Sequence, residues 1–326
     1  MRFGRNGRPN TRFSTGGRPD KVKSRLRFRP NNKENPLPSC PNGLDIGFAS
    51  LSYLQIAFLG IVQGITELLP ISSTAHMRIV PALLGWNDPG SAFSAAMQLA
   101  ALAAVVSYFW RDVREVAFGS VTALRRHDYD HPSFKLAVAI ILATIPIGIA
   151  GIALAPVLNA CDSPLRSLNV IGASCLVMAL LLAISELTCK HLRDVGQMRL
   201  RDALIVGVAQ VGALIPGVSR SGSTLTAALF LNLKREEAAR FSFLLGLPAI
   251  ALAGLKELWT LHHAHIPAEA WTLLLFGIAV ASVSAFAAIW GLMRFLERFS
   301  TWPFVIYRAL LGIVLLGGVQ MGLLHS

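Results

Sequence analysis

The sequence predicts an all-α integral membrane protein: an inverted-topology repeat with six transmembrane helices and two re-entrant helical segments, each broken at a proline. Three observations predict it. Of 326 residues, 53% are hydrophobic and only 15% charged, against roughly 25% charged in an ordinary soluble domain. Six apolar runs approach the about 20 residues that a helix needs to cross the bilayer core. Two more apolar stretches share one interruption, Leu-aliphatic-Pro-x-x-Ser, as Leu68-Leu69-Pro70-Ile71-Ser72-Ser73 and as Leu214-Ile215-Pro216-Gly217-Val218-Ser219.

In chain order, residues 1–46 come first, with eleven Lys and Arg against three acids, so that this stretch carries +8 of the net +12. A tail so rich in Arg, Gly, Pro and Asn buries too little apolar surface to order itself, and it is longer than the polar start of a signal peptide. The first hydrophobic segment is therefore expected to stay in the mature protein. The remainder, 47–326, reads as a single membrane domain of low net charge, so nucleic acid is not an expected partner. Repeat one (about 51–187) holds the broken stretch 51–86 and spans near 94–110, 136–158 and 168–187. Repeat two (about 203–324) holds the broken stretch 203–231 and spans near 241–258, 271–292 and 304–324. Three spans per repeat is odd, so the second copy starts on the opposite side from the first. Cys40, Cys161, Cys175 and Cys189 form no CxxC pair and are read as neither a disulfide nor a metal site.

Loop charges set the orientation, because cytoplasmic connections carry the Lys/Arg excess. Connections 111–135, 188–202, 232–240 and 293–303 hold Arg111, Arg114, Arg125, Arg126, Lys135, Lys190, Arg193, Arg199, Arg201, Lys234, Arg235, Arg240, Arg294 and Arg298. They are expected inside. Connections 87–93 and 259–270 have no Lys or Arg and 159–167 has only Arg166, so these are expected outside. Both ends of 203–231 then lie inside and the segment must dip in and return. By symmetry the first broken segment opens outward, which sets the basic tail against the charge rule. Either that segment crosses fully, or the working start lies downstream of Met1; the second is preferred.

Ionisable groups at membrane depth are costly and functional by default. Glu67, His76, Arg78 and Arg220 lie in the broken stretches with Ser72, Ser73, Thr74, Ser219, Ser221, Ser223 and Thr224. The plain reading is that the hydroxyls cap helix ends beside Pro70 and Pro216 and that His76 is capped or packed. The chemical reading is an anion site. Gly217 and Gly222 allow close backbone approach, helix starts favour anions, and Arg220 can hold phosphate oxygens bidentately. Gln63 and Glu67, spaced i, i+4, share a helix face and form a modest oxygen set for Mg²⁺ or Ca²⁺, with substrate phosphate completing the shell. His76 adds a group titrating near neutrality. Two functions stay open on spacing alone: phosphoryl transfer on a lipid, and transport of an anionic solute through an inverted repeat.

At these residues the chain resembles the undecaprenyl-diphosphate phosphatase family of the bacitracin-resistance type. The resemblance rests on Gln63-Gly64-Ile65-Thr66-Glu67-Leu68-Leu69-Pro70-Ile71-Ser72-Ser73-Thr74-Ala75-His76, on Pro216-Gly217-Val218-Ser219-Arg220-Ser221-Gly222-Ser223-Thr224, and on the run Arg240 to Pro248, over roughly 51–320. It implies a bacterial plasma (inner) membrane enzyme with a periplasm-facing site. The enzyme would hydrolyse the C55 isoprenyl diphosphate to the monophosphate and inorganic phosphate. That reaction recycles the carrier lipid for peptidoglycan synthesis and confers tolerance to bacitracin, which competes for the diphosphate. Glu67 would serve metal-assisted catalysis with Gln63 as second ligand, and Arg220 would hold the diphosphate with Ser72, Thr74, Gly217, Ser219, Ser221, Gly222 and Thr224. Ser73 and His76 would share attack and proton transfer, the nucleophile left open, and a homodimer is compatible with the pattern. Two positions depart from the family pattern. Gln63 stands where many members have Glu, which weakens a metal site, and Ala75 replaces the usual Gly before His76, which is strained if φ there is positive. The competing readings are a transporter or flippase for the lipid phosphate, and a non-catalytic membrane scaffold.

Overall fold

The computed structural model describes residues 46–158, 163–322 and 324. Of the expected basic tail, residues 1–45 lie outside these, as do Cys40 and Cys161. The described chain is helical, without a strand. In order come α1 (Tyr53–Leu68), α2 (Ser73–Leu84), α3 (Ser91–Ala96), α4 (Gln98–Tyr108), α5 (Trp110–Arg126), α6 (Pro132–Ala153) and α7 (Ala155–Leu158). The order continues with α8 (Leu168–Thr188), α9 (Leu200–Val211), α10 (Arg220–Phe230), α11 (Arg235–His263), α12 (Ala268–Arg298) and α13 (Trp302–Gln320). Six spans are long and apolar enough to cross a membrane: 91–108, α6, α8, α11, α12 and α13. They match the six expected runs. α11 and α12 run past both ends of theirs, because hydropathy reads only the lipid-embedded stretch while polar residues such as Arg235, Glu236 and Glu237 continue the helix.

Each broken stretch is a helical hairpin, α1 packed along α2 and α9 along α10. A Ser52–Gln55 capping box starts α1, and Pro70 follows its extended end at Leu69. α2 and α10 both start on a serine cap with positive φ, Ser72 at 74° and Ser219 at 69°, and each cap hydroxyl accepts from the N–H three residues on. These caps correct the repeat register. The sequence overlay set Ser73 on Ser219, whereas the structural equivalents are Ser72 and Ser219, so Gly217 matches Pro70 and Pro216 stands one residue earlier in its loop than Pro70 does. At that offset Gln63 matches Gln210 and Gly60 matches Gly207. The match extends to packing: α1 lies against α12 and α9 against α6, each broken helix crossing onto the other repeat. A Cβ on Gly60 would stand 3.0 Å from the Gly277 carbonyl, and one on Gly207 only 2.2 Å from that of Ala143.

Contacts sort the connections onto two faces. At one, Glu186 at the end of α8 takes Arg235 and a hydrogen bond from Thr301 at 2.9 Å, Arg193 bridges to Asn232 and Lys234, and Arg240 pairs with Asp112. All four Lys/Arg-rich connections meet there. At the other, Phe48 donates to the Pro89 carbonyl at 2.8 Å and packs in one cluster with Phe93, Leu261 and Ile266. α11, 29 residues and about 40 Å long, runs from the first face to the second. One expectation needs correction: 111–135 is not a loop, since α5 fills most of it. Val113 packs on the core and Ala123 is buried while Arg111, Arg114, Arg125 and Arg126 stay exposed. That is a helical period hidden in a charged stretch.

Candidate active site

The two hairpin tips meet, and their charged side chains form one cluster. Glu67, 8% exposed on the last turn of α1, is held by three donors. Ser73 Oγ donates to Oε2 at 2.6 Å, Gln63 Nε2 to the same oxygen at 3.1 Å, and Arg220 Nη2 to Oε1 at 3.2 Å. Ser73 is the first residue of α2 and Arg220 the first of α10, so groups 153 residues apart converge because each sits where a helix restarts. Ser221 Oγ stitches the tips, within 3.3 Å of the Glu67 carbonyl and 3.1 Å of that of Leu69. A cavity of about 210 Å³ is lined here by Gln63, Glu67, Ser73, Thr74 and Arg78, and by Asp88 and Arg166 from the Lys/Arg-poor connections. It therefore lies toward that face.

His76 stands apart from this cluster. Its Nδ1 lies 2.7 Å from the Ser72 carbonyl, which can only accept, so Nδ1 carries the proton and Nε2 accepts from Tyr307 Oη at 2.5 Å. The rings stack with an 8° interplanar angle. Arg78 pairs with Asp88 at 2.5 Å on the cavity wall. Of the expected phosphate ligands, Thr74 is exposed, Ser72 and Ser219 serve as caps, and Thr224 turns back to donate to the Arg220 carbonyl at 2.8 Å. Ser223 also donates to that carbonyl, at 3.1 Å. Gly217 has φ 95°, and a Cβ there would stand 2.6 Å from the Ile171 carbonyl, so this position requires glycine. Ala75, by contrast, lies inside α2 without positive φ. The strain expected there is absent, because Ser72 takes the left-handed turn instead.

Gln63 Oε1 is buried with no partner among the described residues. With the Glu67 carboxylate it fits a hard cation whose remaining ligands are phosphate and water oxygens; no group of three His, Cys, Asp or Glu accompanies it among the described residues. Three contributors escaped the sequence reading. Gly246 on α11 leaves room for Arg220, since a Cβ would fall 1.8 Å from Nη1. Tyr307 and Arg308 reach in from α13. Arg308 had a signal, a charge in an apolar run; Gly246 had only its place in the run Arg240 to Pro248, and Tyr307 had none.

A family model described as bacitracin resistance protein BacA matches residues 56–314, most of the chain and both hairpins. The chain belongs to the BacA family. Its relatives include undecaprenyl-diphosphatase 2 of Mesorhizobium japonicum, 72% identical over 261 residues, covering 80% of this chain and 99% of the relative. The undecaprenyl-diphosphatase of Synechococcus elongatus is 49% identical, covering 85% of this chain and 96% of its own. That of Trichormus variabilis is 47% identical, covering 88% and 90%. The BacA match begins beyond the basic tail.

Proposed function

We propose that this chain hydrolyses undecaprenyl diphosphate to the monophosphate and inorganic phosphate, in a bacterial plasma membrane and with its site facing the periplasm. The observation that carries the reading is the Ser73–Glu67–Arg220 cluster, where a hydroxyl, its proton acceptor and a phosphate-binding cation meet beneath two helix N-termini in a member of the BacA family. The outward orientation is supported by the cavity's place on the Lys/Arg-poor face. Every group named comes from one chain. Bacitracin, by holding the diphosphate, would compete with the enzyme for the same lipid.

The first N–H groups of α2 and α10 lack partners within their helices and, with Arg220, favour the diphosphate there. Ser73 Oγ attacks the terminal phosphorus. Its proton passes to Glu67 Oε2, to which it already donates, and the phosphorus–bridging-oxygen bond breaks with the electron pair leaving on the lipid monophosphate. Glu67 returns that proton to the departing lipid monophosphate and then takes one from water, whose oxygen attacks phosphorus; the phosphorus–Ser73 Oγ bond breaks, Glu67 hands the proton to Ser73 Oγ, and inorganic phosphate is released. Arg220 stabilises charge on the transferred group. Gln63 and Glu67 would hold a divalent cation that, when bound, neutralises phosphoryl charge. His76 acts on Ser73 through the cap, since its Nδ1–H holds the carbonyl of Ser72, the preceding residue.

The test is phosphate release from undecaprenyl diphosphate by purified protein in detergent, with EDTA and with added Mg²⁺ or Ca²⁺, beside Glu67→Gln. Cation-dependent release lost in the variant is expected. Absence of release by folded wild type would favour the transporter reading, because detergent leaves no two sides to transport between.

A further inference from the structure

The largest fully buried side chain among the described residues is a charged one, Arg308 on α13, 1% exposed. Its Nη1 donates to the Pro70 carbonyl at 3.1 Å, and its Nη2 to those of Gly217 at 2.8 Å and Val218 at 3.0 Å. Pro70 is two residues before the cap of α2, and Gly217 and Val218 immediately precede the cap of α10. One planar guanidinium thus spans the two hairpin tips and fixes their separation. Space is kept for it: a Cβ on Gly222 would stand 2.8 Å from Nη1, while the matching position of the first hairpin is Ala75.

The arrangement is costly. No carboxylate lies within 4.0 Å of Arg308 among the described residues, where Glu67 is paired with Arg220, and Arg308 Nε is buried without a partner. A buried cation answered only by carbonyls needs a compensating use. The carbonyls it holds supply one, because the two restarting helices carry Ser73 and Arg220 into one site.

We propose that Arg308 is a positioning residue of the hydrolysis, setting the distance between the α2 and α10 N-termini without itself touching the diphosphate. The inference rests on the lipid diphosphatase reading of the site. The test measures kcat and KM for phosphate release from undecaprenyl diphosphate in detergent, with thermal melts, for wild type, Arg308→Lys and Arg308→Gln. Lys keeps the charge but cannot bridge three carbonyls as a planar fork does. We expect kcat to fall about 100-fold in the Gln variant and about 10-fold in the Lys variant, since small misplacements cost factors of this size. KM should stay within about threefold in both. Unchanged kcat in Arg308→Gln, or full activity in Arg308→Lys, would overturn the bridging role. KM rising in step with the loss would show a direct phosphate contact instead. Failure of both variants to yield folded protein would make Arg308 a purely structural residue, and the inference would fall. No release by wild type would defeat the reading of the site, separately from any comparison of variants.

Discussion

Glu67 illustrates how much one carboxylate does when every donor around it is fixed. Ser73, Gln63 and Arg220 together occupy both of its oxygens, so Glu67→Gln removes the proposed proton acceptor while leaving a side chain of the same shape. We expect kcat to fall about 10²–10⁴-fold, the usual worth of a general base, measured as phosphate release. Arg220→Lys should lose about 10²–10³-fold, because a point charge does not replace the planar fork. Gly246→Ala separates activity from stability. Its Cβ would displace only the flexible tip of Arg220, so the melting temperature should hardly move while kcat/KM drops about 100-fold. Gln63, Glu67, Ser73 and Arg220 were legible in the sequence, being polar groups in apolar stretches at telling spacings. Gly246 was readable only as part of the run Arg240 to Pro248, because what it accommodates is a side chain 26 residues away across a helix interface. Arg308 was legible in principle, as the charge in the run 304–324, but its role depends on carbonyls that no spacing reveals.

At the scale of elements, the hairpins explain how chemistry enters an all-helical membrane protein. A proline and a left-handed serine restart a helix inside the apolar region, and its unpaired N–H groups become available there. The repeated proline made both breaks readable but set the register wrong by one, since the position equivalent to Pro70 is Gly217, held by its positive φ and by contact with α8. α5 was hidden because a charge-rich stretch reads as a loop unless its period is examined. Packing between the repeats rests on close backbone approach, and there a flexible neighbour is absent. Gly207→Ala would place its Cβ against the Ala143 backbone, and we expect about 1–3 kcal/mol of destabilisation, seen as a lower melting temperature in detergent, with loss of activity following loss of fold.

For the whole molecule, the decisive feature is that each repeat supplies half a site. The Lys/Arg-rich connections gather at one face and the cavity lies toward the other, so orientation is testable directly. In a variant with the native cysteines replaced, Asn87→Cys should react with a membrane-impermeant maleimide on intact cells and Arg294→Cys only after permeabilisation; the reverse pattern would put the site inside. The most direct test of a site shared between repeats is a double-mutant cycle on kcat/KM for phosphate release, with Glu67→Gln, Arg220→Lys and the double variant. If the two act on one phosphoryl group, the double variant should lose little more than the worse single variant, as expected of residues that work as a unit. Losses that multiply would mean that Glu67 and Arg220 act independently, and the shared site would be contradicted.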